Sequence, residues 1–310
     1  MLAIVRKELA DLFNSVRFFI LFLLVLIASV LGVMAVRDGI RAALEQSFAV
    51  TGDHFVFLAM FTASFPKISF FNFAIVITII VPIVGIALGF DTINSERTGG
   101  TMSRLLAQPV YRDNVINGKF MAGLITLALM IGSAMLLMAG FGIRMIGVPP
   151  TAEEIIRLFI YFVVTVVYGA FWIGLSMLCS VIFRRAAGSL MIPIFLFLFF
   201  FIWMFLVAAI APIDTNGTVE DIIQDWELQQ TLSRLSPSYL FQEAFSVLLN
   251  PVERMGIPTP GQAAYMVLNP LSLGQSLVEI WPHIVGLISL SVVLFAVSYV
   301  AFMKQEVRAT

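Results

Sequence analysis

The chain has 310 residues, 60% of them apolar and 12% charged, with a net charge of -1. Soluble domains are roughly a quarter charged, and this much apolar surface exceeds what one soluble core can bury, which leaves a membrane protein. The charge balance gives no basis for nucleic-acid binding, and the single cysteine, Cys179, lies inside an apolar run, where it excludes an intrachain disulfide and reads as a small packed residue.

Residues 1–16 are patterned. Leu2, Val5, Leu9, Leu12, Phe13 and Val16 recur at helical spacing, with Arg6, Lys7, Asp11 and Asn14 on other faces. This predicts a basic amphipathic helix in the headgroup plane, the alternative being a simple extension of the first span. Six stretches free of Asp, Glu, Lys and Arg follow, at 18–36, 72–90, 120–143, 158–183, 190–211 and 284–303. Each suits a hydrocarbon crossing, which needs about 20 helical residues. Backbone polar groups cannot stay unpaired in lipid, so the expected fold is an all-α membrane protein with six transmembrane helices, one domain over residues 1–310. The first stretch starts too late and runs too long for a signal peptide and is read as a retained span.

Two connecting regions are long. Residues 37–71 contain a predicted helix at 39–48 and an apolar piece at 55–65 too short to cross. Residues 212–283 form a large loop between spans five and six, opening with Asp214, Glu220, Asp221, Asp225 and Glu227. Further on, Ser236 is a predicted N-cap and Pro237 a first-turn proline. That helix gathers Leu240, Phe241, Ala244, Phe245 and Leu248 on one side and is expected on the outer membrane surface or part-way into it.

Lysine and arginine set the orientation. One side collects eleven: Arg6, Lys7, Arg17, Arg97, Arg104, Arg112, Lys119, Arg184, Arg185, Lys304 and Arg308. The other has seven spread over longer loops: Arg37, Arg41, Lys67, Arg144, Arg157, Arg234 and Arg254. Both termini are therefore expected in the cytoplasm, with 91–119 a cytoplasmic loop and 212–283 extracellular. Inside the spans, Gly85 and Gly89 form a GxxxG, and Gly169, Ala170 and Gly174 supply small residues on the fourth. Such positions let helix backbones approach closely, within one subunit or across a dimer seam. Pro82 and Pro193 mark expected kinks.

Several chemistries are missing. No span holds an ionisable residue, which argues against a proton relay or a midplane ion site. The fragment at 117–120, Asn-Gly-Lys-Phe, lacks the upstream glycine and the Ser/Thr of a phosphate-binding loop, so the chain does not hydrolyse ATP by that route. His54 and His283 show no ligand spacing and read as interfacial polar residues. Met130, Met135 and Met138 make no one-face stripe for Cu(I) and serve as apolar filler. No catalytic or metal-binding residue is assigned.

The insert at 91–119 carries seven charges between two greasy spans. The second span is expected to continue as helix to Glu96, where Gly99 and Gly100 break it. Thr101 can cap a short helix that Pro109 ends, with Met102, Leu105 and Leu106 on one face and Arg104 off it. Asp113 can cap the helix that becomes the third span. An apolar face outside the membrane needs a cover, either lipid headgroups or a protein groove.

Glu96 with Gly99-Gly100-Thr101, then Leu105, Leu106, Pro109 and Arg112, then Gly118-Lys119, resembles the signature of the type-2 class of ATP-binding-cassette (ABC) exporter permeases. Arg6–Leu12 also resembles that family's amphipathic opening. The resemblance implies a permease pair, expected to be a homodimer in a prokaryotic plasma membrane, worked by two copies of a separate ABC ATPase subunit that carries the ATP and Mg. It implies that the insert docks on that ATPase, with Met102, Leu105 and Leu106 filling a groove and Arg104 at the rim. Glu96 would face the amino terminus of the short helix, and Arg112 and Lys119 would pair with Glu96, Asp91 or lipid phosphate. Arg184 and Arg185, in the turn at 183–188, would form a second, smaller contact. The outer loop is longer than the simplest members have and offers a place for an accessory protein; permeases of nitrous-oxide-reductase maturation are similar. The competing expectation is an ATP-independent facilitator or assembly scaffold.

Overall fold

The computed structural model describes residues 1–51, 55–62, 64–65, 68–100, 111–147, 149–213, 218–251 and 271–304. Among them the elements are α1 (Leu2–Phe13), α2 (Val16–Thr51), α3 (Val56–Thr62), the antiparallel strands β1 (Ser64–Phe65) and β2 (Ile68–Asn72), α4 (Phe73–Gly89), α5 (Asn94–Thr98), α6 (Arg112–Ile146), α7 (Ala152–Ile182), α8 (Ala186–Ile210), α9 (Val219–Ser233), α10 (Pro237–Leu249) and α11 (Leu273–Lys304). Six helices, namely α2, α4 with its extension α5, α6, α7, α8 and α11, are long and apolar enough to cross a membrane. They coincide with the six expected spans.

Local chemistry sets the helix ends. Ser15 separates α1 from α2: its hydroxyl donates to the Leu12 carbonyl at 2.6 Å and accepts from the Phe18 amide at 3.2 Å. Asn72 caps α4 by accepting from Ile75. Thr151 and Glu154 close a capping box at the start of α7, and Thr218 with Asp221 does the same for α9. Gly147 ends α6 in the left-handed region, φ 76°, where glycine carries no Cβ penalty. Three expectations change in detail. The helix predicted at 39–48 is the far end of α2, because no breaker separates it from the first span. The apolar piece at 55–65 divides into α3 and the start of the hairpin. Asp113 lies inside the first turn of α6, with Tyr111 at the cap position.

The interior is built around α4 and α7, whereas α2, α8 and α11 turn many large apolar side chains outward. Gly85 and Gly89 lie on α7. A Cβ at Gly85 would stand 2.9 Å from Trp172 Cβ, and one at Gly89 would stand 2.8 Å from the Ile173 carbonyl oxygen. Gly169 faces Val81 and Leu127, and Gly174 faces α11 with room to spare. The Ser176 hydroxyl donates to the Ile86 carbonyl at 2.9 Å across the same seam. Helix α10 closes this core from one end: Phe241 stacks on Tyr168 with ring centroids 4.5 Å apart, and Phe241, Ala244 and Leu248 are fully buried. Its apolar face, expected against lipid, is thus largely covered by protein.

Replacing Gly89 with Val should destabilise the chain in detergent by about 1–3 kcal/mol, because the new methyls meet backbone that cannot rotate away. Gly140→Ala, where nothing stands within 4 Å, should leave the thermal midpoint unchanged or slightly raised.

Candidate functional site

At one end of the bundle the α1 side chain Ile4 packs on a cluster that holds Val115 and Ile116 of α6 and Phe302 of α11. The polar residues of the insert's stem gather on this end. Arg17 opens α2 and grips Asp91 through a two-pronged pair, Nη1 to Oδ1 at 2.7 Å and Nη2 to Oδ2 at 2.5 Å, with its guanidinium over the Phe90 ring. Bidentate charge-assisted pairs of this kind fix orientation as well as distance. The Ser180 hydroxyl, near the end of α7, accepts from the Ile93 and Asn94 amides at 3.1 and 3.2 Å. Asn94 in turn donates to Ser189 on α8 at 3.1 Å, and Ser189 donates to the Phe90 carbonyl at 2.6 Å. Arg97 reaches the Val181 carbonyl at 3.2 Å. The stem of the insert is therefore bound to both sides of the α7–α8 turn.

Lys119, on the second turn of α6, has a side chain only 3% exposed. It lies 3.0 Å from Glu8 on α1 and 3.3 Å from Glu96 on α5. Lys7 stands 3.1 Å from Glu8, 3.5 Å from Glu96 and 3.1 Å from Asp11. Partial burial works against the Lys7 charge, but its hydrogen bonds to Asp11 and Glu8 outweigh that and raise its pKa. Of the residues picked from the sequence, Glu96 and Lys119 are brought together, and Asp91 is taken by Arg17. Gly99 ends α5 and Gly100 follows at φ 65°, the left-handed break expected of the pair. Arg112 opens α6, while Arg184 and Arg185 stand exposed at the α7–α8 turn. Thr101, Met102, Arg104, Leu105 and Leu106 lie outside the described residues, as does His54.

The opposite end is held by charges of which the sequence marked only Arg157 and Arg234, as loop cations. Arg157 is fully buried at the start of α7. It donates to Glu153 at 2.8 Å, Ser276 at 3.0 Å and the Leu271 carbonyl at 2.7 Å, and its guanidinium covers the Phe55 ring. Phe55 itself sits at φ 64°, a strained value for a bulky residue, beneath that cation. Glu154 serves α7 and α3 at once, accepting from Thr151 at 2.8 Å and from Phe57 at 2.8 Å. Glu243 on α10 accepts from Arg234 at 2.7 Å and Gln230 at 2.8 Å, and pairs with His283 at 2.7 Å. His283 is thus a buried partner, not an interfacial one. Burial alone would push the Glu243 carboxyl up, but His283 and Arg234 pull it down to about 2. The Thr-x-x-Glu spacing at 151–154 was the available signal for Glu154. Arg157 and Glu243 had none, because their partners are distant in sequence. Among the described residues, no three His, Cys, Asp or Glu stand together as metal ligands.

Six apolar helices with charge confined to their two ends define a multi-pass membrane protein. Residues 2–307 match the family described as ABC-2 family transporter protein, and the chain belongs to it. It is an ABC transporter permease, a membrane subunit of a class whose members work with an ATPase partner. No curated protein matches the chain.

Because the folded pKa of Glu243 lies below the ordinary 4.5, its ion pairs stabilise the fold above that value and lose the contribution as the pH falls toward about 2. The thermal midpoint of the wild type should exceed that of Glu243→Gln at pH 7, and the gap should close between pH 4.5 and 2. A gap independent of pH in that window would contradict the assignment.

Proposed function

We propose that this chain forms the translocation path of an exporter and is driven through its insert by a separate ATPase. It works as a homodimer with two ATPase copies, which bind the ATP and Mg. The observation that carries the reading is the bonding of the insert's stem to the α7–α8 turn: Ser180, Ser189 and Val181 receive Ile93, Asn94 and Arg97. A partner pressing on residues 101–110 or on 183–188 would move the same body. That connection supplies what coupling requires, a stiff path from a docking surface to the ends of three spans, α4 with α5, α7 and α8.

The excess of Lys and Arg at this end supports a cytoplasmic placement of both termini; the membrane proposed is a prokaryotic plasma membrane, on the resemblance to the exporter permeases. Met102, Leu105 and Leu106 are the proposed groove-filling residues, with Arg104 at the rim and Arg184 and Arg185 as the smaller contact. On this reading Glu96, Arg112 and Lys119 hold the stem. Spans without ionisable groups suit a weakly polar cargo. On this reading the 212–283 region stands on the outer side, where an accessory protein would dock, as in a permease of the nitrous-oxide-reductase-maturation type.

Isolated from its native membrane, the chain should bring a P-loop ATPase with it. Leu105→Glu and Leu106→Glu should each abolish that co-purification, because a buried charge in an apolar groove goes unpaired. Unchanged ATPase binding in both variants would overturn the docking assignment.

A further inference from the structure

Lys119, Glu8, Lys7 and Glu96 form a closed ring of alternating charge, with successive separations of 3.0, 3.1, 3.5 and 3.3 Å. The ring draws on three helices: α1 gives Lys7 and Glu8, α5 gives Glu96, and α6 gives Lys119. We propose that these four side chains are positioning residues that lock α1, α5 and α6 into one moving body, so that α1 is carried by the insert and not by the bilayer. The proposal rests on the coupling role argued above for the insert.

Two independent features point the same way. First, each lysine touches both carboxylates: losing α5 or α6 would leave two like charges sharing one counter-ion, and losing α1 would strip Lys119 and Glu96 of one partner each. Exposed ion pairs contribute little, but here the Lys119 side chain is 3% exposed and those of Glu8 and Glu96 are 13% and 11%. Abandoning one partner in such surroundings leaves an uncompensated buried charge. Secondly, the inner face of α1 is seated on protein. A Cβ at Gly118 would stand 2.7 Å from Ile4 Cγ2 and 3.1 Å from Ile4 Cβ, so the missing side chain at Gly118 is what lets α1 lie down on α6. Ile4 packs against the Val115, Ile116 and Phe302 cluster, and Leu12 against the main core. Ile4 and Leu12 thus seat α1 on protein, while Leu2 and Val16 at the ends of the apolar stripe stay exposed.

The ring also marks where rigidity stops. Glu96 lies three residues before Gly99, and Gly100 adopts φ 65° immediately after. Everything up to Thr98 moves with α1 and α6, and the glycine pair is the joint through which the docking segment is attached.

The test uses the full chain with its co-purified ATPase, in a Cys179→Ala background, with spin labels at Ala10→Cys on α1 and Ser95→Cys on α5; Ala10 and Ser95 are both exposed. With doubly labelled chain diluted into an excess of unlabelled chain, so that only distances within one chain are read, double electron–electron resonance should give one narrow distance peak, unchanged between the nucleotide-free and ATP–vanadate-trapped states. Lys119→Met should lose that narrow peak, and Lys119→Arg should keep it. Glu96→Gln reads the same quantity should Lys119→Met fail to insert, and should also broaden the peak. A narrow peak in both neutral variants, a broad one in Lys119→Arg, or a wild-type peak that splits on trapping would overturn the proposal. Absence of any ATPase from the wild-type preparation would instead defeat the coupling role, leaving the ring to be judged by the label distances alone.

Discussion

Helices in hydrocarbon gain nothing from burying apolar surface against one another, because lipid tails are as apolar as leucine. Partner choice must then come from close backbone approach and from polar groups that have nowhere else to go. Both devices operate here. Gly85 and Gly89 let α4 lie directly on α7, and Ser176 sews the same seam with a hydrogen bond to a helix carbonyl. A side chain at either glycine would strike the α7 backbone or the Trp172 stem, so the contact leaves little tolerance.

Charge is expelled to the two ends, and each end uses it as a fastener. Arg17 with Asp91 and Lys119 with its two glutamates tie α1, α2, α5 and α6 at the end where α1 lies. Arg157 and Glu243 tie α7, α9, α10 and α11 at the other. The middle of the bundle, packed through small and aromatic residues, connects two cross-linked ends. An input at one end can reach the other only by moving whole helices, which is the behaviour a permease driven from one side requires.

The six spans were legible because charge-free runs of that length have few other uses, and the break at Gly99-Gly100 because consecutive glycines end helices. Glu96 and Lys119 could be picked out from their place in the insert, and their pairing follows from the stem's geometry. Glu8 and Lys7 were not, since on the amphipathic pattern of α1 they look like solvent-facing charges. Nothing local tells that α1 lies on α6; Gly118, whose missing side chain makes room for Ile4, is far from it in sequence. Arg157 and Glu243 were hidden for the same reason. The apolar face of α10 was read correctly as to its members, but its cover, Tyr161 and Tyr168 of α7, comes from a different part of the chain.

On the proposed function, the insert and the α7–α8 turn are one docking surface for an ATPase. Hydrogen–deuterium exchange on the chain in lipid nanodiscs, with and without the ATPase and ATP–vanadate, tests this directly. Protection should appear together at residues 95–112 and 183–189 and leave 212–251 unchanged. Protection of only one of the two segments, or of neither, would contradict the account.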